Sequence, residues 1–188
     1  MRQAKFSIIA ALAACGLAQT PPGFEPAVEA NLAVIFEAGA VEEPGTSFTI
    51  AETAQLPTIG TAEPLEGTYI LLVVDISVPG GAQRQKLLHG LISGYTSAAE
   101  PNDAGIYVLE TADPASPASY IGPGPPPENP PYAHSYVEVL FVQPDGWEAP
   151  AVDFSGFGNR FGIDVGKLIE SYGLGEPVAA NYFNVTGV

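Results

Sequence analysis

Three polar side chains occur beside the most apolar segments of the sequence, and their types could support acid–base or anion-binding chemistry. His89 follows a Leu-Leu pair, His134 follows a Pro-rich loop, and Asp75 is the first charge after an apolar run. An imidazole can donate N–H bonds to an oxyanion, more strongly when protonated, and a nearby carboxylate favours that protonated form. Each residue also has a plain structural interpretation, as a core histidine or as a turn-capping aspartate, and both interpretations stay open here.

The elements that must position these side chains are mostly predicted strands. Residues 68–74 form a short, β-branched apolar run, which predicts a strand buried on both faces. Residues 87–93 form a further apolar stretch around the first histidine. Residues 136–142 alternate, with Glu138 opposite the apolar positions, and this pattern predicts a half-buried strand whose other face carries Glu138.

The remaining elements are two weaker strands and one helix. Residues 31–36 and 47–51 are also predicted strands, whereas Pro57 predicts an edge or a loop for the segment that follows it. Asp164 is a predicted helix N-cap, and Gly173 can end that helix in the left-handed conformation. An apolar stripe predicts that the helix docks onto the sheet, and it comprises Val165, Leu168, Ile169 and Tyr172.

Composition and charge exclude several classes of protein. The chain has 21 Gly and 19 Pro among 188 residues, too many for a coiled coil or a helical bundle. Its eight Tyr and nine Phe argue against disorder, so a compact, mostly β domain over residues 19–188 is predicted. The formal net charge of −15 excludes nucleic acid as a partner and disfavours strong binding to anionic membranes.

The N-terminal segment has the pattern of a secretory signal peptide. A basic stretch with Arg2 and Lys5 precedes a short apolar run, and small residues allow cleavage after Ala18. Residues 1–18 are therefore a predicted signal peptide, whose removal takes away Cys15, and the protein is predicted to be secreted. In that case Asn184, in Asn-Val-Thr, is a predicted glycosylation site.

Several motifs, taken together and in order, resemble the phosphatidylethanolamine-binding protein family, also called the Raf-kinase-inhibitor-like family. They are the run 69–79, the Leu88-His89 pair, Gly-Pro-Gly-Pro-Pro within 120–126, His134-Ser135-Tyr136 and the tail 172–183. The resemblance covers residues 28–185. It implies an all-β fold, an antiparallel β-sandwich with short peripheral helices and a Pro-rich loop beside a small anion pocket. The pocket would take phosphate or a phospholipid headgroup.

The resemblance also implies a set of pocket residues. The predicted ligand-binding residues are Asp75, His89, Gly124, His134 and Tyr136. If the protein is an enzyme, His89, His134 and Asp75 are the predicted catalytic residues, because acid–base chemistry could use two imidazoles and a carboxylate. Neither a metal nor a cofactor is implied.

The sequence departs from the family pattern around this pocket. The departures are Ile76, Ser77, Leu87, Gly90 and Ser135, where the family has Pro, Asp, two aromatic residues and Arg. The C-terminal helix that lies over the site in animal members is not expected either. These differences predict a smaller, less charged and more open surround, and they leave room for a different acidic or carbonyl-rich ligand.

Three classes of function remain. The first is a secreted binding module for a small anionic ligand of phosphate, carboxylate or anhydride type. The second is a non-hydrolytic enzyme of a fungal secondary-metabolite pathway, which assists coupling or cyclisation of anhydride-type monomers as in maleidride biosynthesis. The third is an interaction protein of protease-inhibitor type, for which the sequence names no protein partner. Export fits poorly with kinase regulation, and no residue pattern indicates a hydrolytic nucleophile.

Overall fold

The structure is a computed structural model that describes residues 18–111, 116–149, 154 and 156–188. Apart from Ala18, the predicted signal peptide lies outside the described residues. Within these ranges, no helix is both long and apolar enough to cross a membrane.

The described chain is built mainly from strands, with one short 3-10 helix and one α-helix near the C-terminal end. The elements are β1 (Ala33–Phe36), β2 (Gly39–Ala40), β3 (Thr46–Phe48), β4 (Thr58–Thr61), β5 (Tyr69–Val78), β6 (Gln85–Ser97), β7 (Tyr107–Glu110), β8 (Ala133–Val142), the 3-10 helix Phe157–Arg160, α1 (Val165–Ser171) and β9 (Pro177–Thr186).

All nine strands of the described residues belong to one curled sheet with the order β2-β1-β4-β7-β6-β5-β8-β9-β3. The long strand β6 lets the sheet turn from one layer into the other, because it pairs with β5 over most of its length and with β7 at Thr96 and Ser97. Neighbouring strands are antiparallel except β3 and β9, which run parallel. The sheet is therefore mixed, although nearly all of it follows the predicted antiparallel pattern.

Two apolar cores hold this sheet together. The inner core lies between the layers and joins residues such as Val34 and Ile59 on one layer to Leu71 and Phe183 on the other. The outer core covers the opposite face of the layer that contains β5 and β8, and it includes residues of α1. Strand β5 is buried on both faces for this reason, as its apolar run predicted.

The helix confirms its sequence signals. The side chain of Asp164 accepts a hydrogen bond from the backbone N–H of Lys167, as an N-cap residue does. Gly173 follows the helix with φ +63°, a backbone conformation that glycine adopts without strain. The predicted stripe packs against the outer core, so α1 covers the outer face of the layer that contains β5 and β8.

Two strand predictions are wrong for reasons of tertiary structure. Pro57 does not lead into an edge, because β4 follows it directly and pairs with both β1 and β7; a proline just before a strand removes no ladder donor. Glu138 does not face solvent, because β8 lies between β5 and β9 and is covered on both faces, so Glu138 is 0% exposed. The sequence patterns did not predict strands β2, β7 and β9.

Candidate functional site

All five predicted pocket residues line one cavity of about 420 Å³ at the end of the sheet where β5, β6 and β8 lie side by side. Strand β5 runs between the other two strands, and Asp75 on it pairs in register with Leu87 of β6 and Tyr136 of β8. The Pro-rich loop before β8 adds Gly124 to the wall. Residues far apart in sequence therefore meet at one cavity because adjacent strands carry them.

A β-bulge places His89 in this cavity. Val73 pairs with Gly90 and Val74 pairs with Leu88, so His89 is an extra residue with no partner opposite it on β5. Such a bulge turns its side chain out of the regular alternation. The imidazole lies edge-on to the ring of Tyr136, with 5.0 Å between the ring centroids and 85° between the planes.

One ring nitrogen of His89 is fixed by the backbone and the other is free. The Nδ1 atom lies 2.6 Å from the carbonyl oxygen of Ile121, and because a carbonyl only accepts, Nδ1 carries the proton. The Nε2 atom is buried and has no hydrogen-bond partner in the part of the chain that the structure describes. Burial lowers the pKa of His89, so neutral His89 presents a lone pair at Nε2.

Asp75 is the centre of a hydrogen-bond network on the cavity floor. Its Oδ1 accepts from the backbone N–H of Ser77 at 2.7 Å, and its Oδ2 accepts from Nδ1 of His134 at 2.8 Å. The hydroxyl of Tyr136 also bonds to Asp75 and accepts from the backbone N–H of Gly124. Burial and the charge of Asp75 raise the pKa of Tyr136, so this hydroxyl stays neutral.

His134 is held on its other side by a carboxylate of the Pro-rich loop. Its Nε2 donates to Oε1 of Glu128 at 2.9 Å, and Glu128 also accepts two bonds from Arg84, each of 2.7 Å. Burial disfavours a charged imidazole, but the hydrogen bonds and charges of Asp75 and Glu128 outweigh it and raise the pKa of His134. His134 therefore keeps its proton at a higher pH than an ordinary histidine.

These contacts divide the predicted residues by what they can do. Asp75, His134 and Tyr136 satisfy one another, and the N–H of Gly124 is also occupied. Among the five, His89 alone has a buried polar atom without a partner in the described chain. The formal charges of Asp75, His134, Glu128 and Arg84 sum to zero, so this network by itself does not attract an anion strongly.

The remaining wall of the cavity is largely apolar and has a cation behind it. Apolar side chains from four segments line it: Val78, Pro79, Leu87, Ile121, Phe157 and Phe161. Arg160 is 4% exposed, and no carboxylate of the described residues lies within ion-pair distance of it. Its guanidinium donates to the carbonyls of Phe154 and Ser119, and its charge contributes to lowering the pKa of His89.

The sequence patterns did not indicate Arg84, Glu128, Arg160 or the burial of Glu138. Arginines are rare in this chain, which has only six Lys and Arg in total, and that rarity was a usable signal. Glu128 stands inside the Pro-rich loop that was already singled out. No sequence signal marks Glu138, because its pattern is that of an exposed residue.

Asn184 lies on β9, away from the cavity. Its Nδ2 donates to the carbonyl of Gly45 at 2.9 Å, and its Oδ1 accepts from the hydroxyl of Ser135 at 2.8 Å. Its glycosylation stays a prediction, and a glycan on Nδ2 would have to coexist with this bonding.

Comparisons with known proteins concern the family and the fold of the chain. The family model described as phosphatidylethanolamine-binding protein matches residues 29–183. A relative from Talaromyces stipitatus, named phomoidride biosynthesis cluster protein N, is 34% identical over 202 residues, which cover 95% of this chain and 96% of the relative.

Two solved structures share the fold at low identity. One is a carboxypeptidase Y inhibitor in complex with its cognate proteinase, with a TM-score of 0.64, 17% identity and coverage of 86% of this chain and 85% of that chain. The other is a phosphatidylethanolamine-binding protein from Plasmodium vivax, with a TM-score of 0.58, 18% identity and coverage of 84% and 85%. The motif order, the cavity at the end of the sheet and the match over residues 29–183 show that the chain belongs to the phosphatidylethanolamine-binding protein family.

Proposed function

We propose that the protein binds a small acidic or carbonyl-rich intermediate of a secondary-metabolite pathway in the 420 Å³ cavity and exchanges a proton with it through His89. The pathway class is suggested by the relative named for a phomoidride biosynthesis cluster. The volume falls within the range of small-molecule pockets, roughly 300–1,000 Å³. Nε2 of His89 carries the proposal, because it is a buried polar atom on the cavity wall without a partner in the described chain.

The state of His89 decides what the ligand must offer. Because Nδ1 donates to Ile121, neutral His89 accepts a proton or a hydrogen bond at Nε2 and acts as a general base. An acidic C–H or O–H of a carbonyl compound is a suitable donor. Arg160, which has no carboxylate within ion-pair distance among the described residues, favours by its charge the anion that remains after such a proton transfer.

This chemistry suits an enzyme that assists coupling or cyclisation of anhydride-type monomers. Removing a proton next to a carbonyl creates the nucleophile that such a coupling needs, and neutral His89 is placed to accept that proton. A pure binding module would use the same cavity without turnover. The likeness to the carboxypeptidase Y inhibitor concerns the fold alone, so it adds no support for a protease-inhibiting role.

The test compares wild type with His89→Asn. The asparagine amide can keep the bond to the carbonyl of Ile121 but has no atom at the position of Nε2, so the variant separates folding from chemistry. We expect wild type to bind or convert candidate anhydride-type monomers, with ligand affinity followed by calorimetry and products by mass spectrometry. In H89N the conversion should stop and the affinity should fall about 10- to 100-fold, the loss typical of one charge-assisted hydrogen bond.

The control is Glu100→Gln, a change at an exposed residue that does not line the cavity. It should leave binding and conversion as in wild type. A well-folded H89N protein that binds and converts the monomers as wild type does would overturn the proposal. Binding without conversion in wild type would assign the protein to the binding-module class.

A further inference from the structure

The anion position between Arg84 and His134 is filled by a side chain of the protein itself. Glu128 accepts three hydrogen bonds there, two from the guanidinium of Arg84 and one from Nε2 of His134. Both donors carry positive charge, and the arrangement is the bidentate one that guanidinium groups make with carboxylates. The pair of donors is thus a carboxylate-binding position, and the present occupant is tethered to the Pro-rich loop.

The donors would keep their places if Glu128 left. Arg84 also donates to the carbonyl of Ser77 at 2.7 Å, and its guanidinium stacks 3.8 Å from the ring centre of Tyr132. His134 is anchored from behind by Asp75. Each donor is therefore held by contacts that do not involve Glu128.

Glu128 also has space to leave this position. It lies on the loop before β8, its side chain is 19% exposed, and it borders a second cavity of about 250 Å³ on the side of Arg84. The main cavity adjoins this place, because His134 lines it and Pro79 lines both cavities. A carboxylate that arrives through the main cavity would find space, and Glu128 would move into water.

We propose that Glu128 is an internal competitor that occupies a carboxylate subsite, and that the pocket takes ligands whose carboxylate displaces it from Arg84 and His134. This inference rests on the proposed function and names its ligand class more closely. When a ligand carboxylate replaces that of Glu128, Arg84 and His134 remain paired with a carboxylate. The displacement alone therefore yields little net affinity. The ligand must hold a second polar group that donates a hydrogen bond to the lone pair at Nε2 of His89, which points to dicarboxylic acids bound with one carboxyl protonated, such as acids formed from anhydrides.

The test uses succinate as a dicarboxylate probe and Glu128→Gln, which keeps the size of the side chain and removes its charge. If the subsite is free in only about a tenth of wild-type molecules, removing the competitor raises the apparent affinity about tenfold. Calorimetric titration should show this gain in E128Q. Glu100→Gln makes the same change of net charge at an exposed position and should show no gain.

Two further measurements identify the place of binding. The double variant Glu128→Gln with Arg84→Met should lose the gain, because the guanidinium is then absent. In E128Q, added succinate should shift the imidazole nitrogen resonances of His134, which are easily assigned because the chain has two histidines.

The opposite results are equally clear. Unchanged or weaker succinate affinity in folded E128Q, an equal gain in E100Q, or a gain that survives loss of Arg84 would each overturn the inference and leave Glu128 as a structural pin of the loop. The H89N experiment with pathway monomers does not depend on Glu128. Failure of the succinate test with success of that experiment would therefore remove the subsite and keep the proposed function.

Discussion

Replacing Glu138 by Gln should remove a loss of folding stability that wild type shows as pH rises. Glu138 is 0% exposed, and neither of its carboxyl oxygens has a hydrogen-bond partner within the described residues. It lies between Val73 of β5 and Asn181 of β9, on the face of β8 that also carries Tyr136. Burial raises the pKa of Glu138 to about 8 from 4.5, so the folded protein holds this carboxyl in its neutral form.

The sign and size of this change in the free energy of unfolding follow from proton linkage. The folded state keeps the proton at a pH where the unfolded chain has released it, so the unfolded state binds fewer protons and stability falls as pH rises. The loss begins near pH 4.5 and ends near pH 8, the two pKa values of this group. At about 1.4 kcal/mol per pH unit, wild type should lose about 3 kcal/mol relative to E138Q between pH 5 and 7.5.

The assay is urea unfolding at pH 5.0 to 8.0, followed by the fluorescence of Trp147, the single tryptophan. The buried amide of E138Q carries its own cost, but that cost does not depend on pH, so only the difference in slope is compared. Glu100→Gln should give a curve parallel to wild type. If wild type and E138Q run parallel from pH 5 to 8, Glu138 does not fold in its neutral form and the reasoning is wrong.

Three other predictions concern the site and the N-terminus. Asp75→Asn replaces an acceptor shared by Ser77, His134 and Tyr136, so it should cost about 3–5 kcal/mol of unfolding free energy by denaturation and lower the pKa of His134 measured by NMR titration; an unchanged pKa of His134 would contradict the network. Gly122→Ala should destabilise the Pro-rich loop, because its methyl group would lie 2.9 Å from the backbone of Ala54, whereas Gly124→Ala meets nothing within 4 Å and should keep the wild-type melting temperature; equal melting temperatures for the two variants would refute this. Protein recovered from culture medium should begin at or near Gln19, and N-terminal sequencing that finds Met1 would rule out the signal peptide and with it glycosylation of Asn184.

Local sequence patterns predicted the elements whose stability is decided locally. The cap at Asp164, the stop at Gly173 and the apolar stripe between them are short-range features, and α1 follows them. The run 68–74 predicted a strand buried on both faces, and β5 confirms it. The family motifs named five residues that line one cavity, because these motifs lie on the neighbouring strands β6, β5 and β8 and on the loop before β8.

Only the tertiary structure decided which of these residues is free to act. The partner of His134 on one side is 59 residues away in sequence, and Arg84 and Glu128 are 44 residues apart, so no local pattern could pair them. The sequence suggested two histidines that donate to one anion. The fold instead gives His134 two carboxylates and leaves a lone pair on His89.

The sequence by itself determined a β-rich chain, a capped helix, a Pro-rich loop and the residue types at the pocket. These features follow from propensity, periodicity and short motifs, which depend on residues close together in the sequence. Tertiary structure decided burial and protonation. Glu138 alternates with apolar residues as an exposed side chain would, yet β8 is covered on both faces and Glu138 is buried. Burial and partner choice are long-range properties, since they depend on which strands become neighbours and which faces become covered.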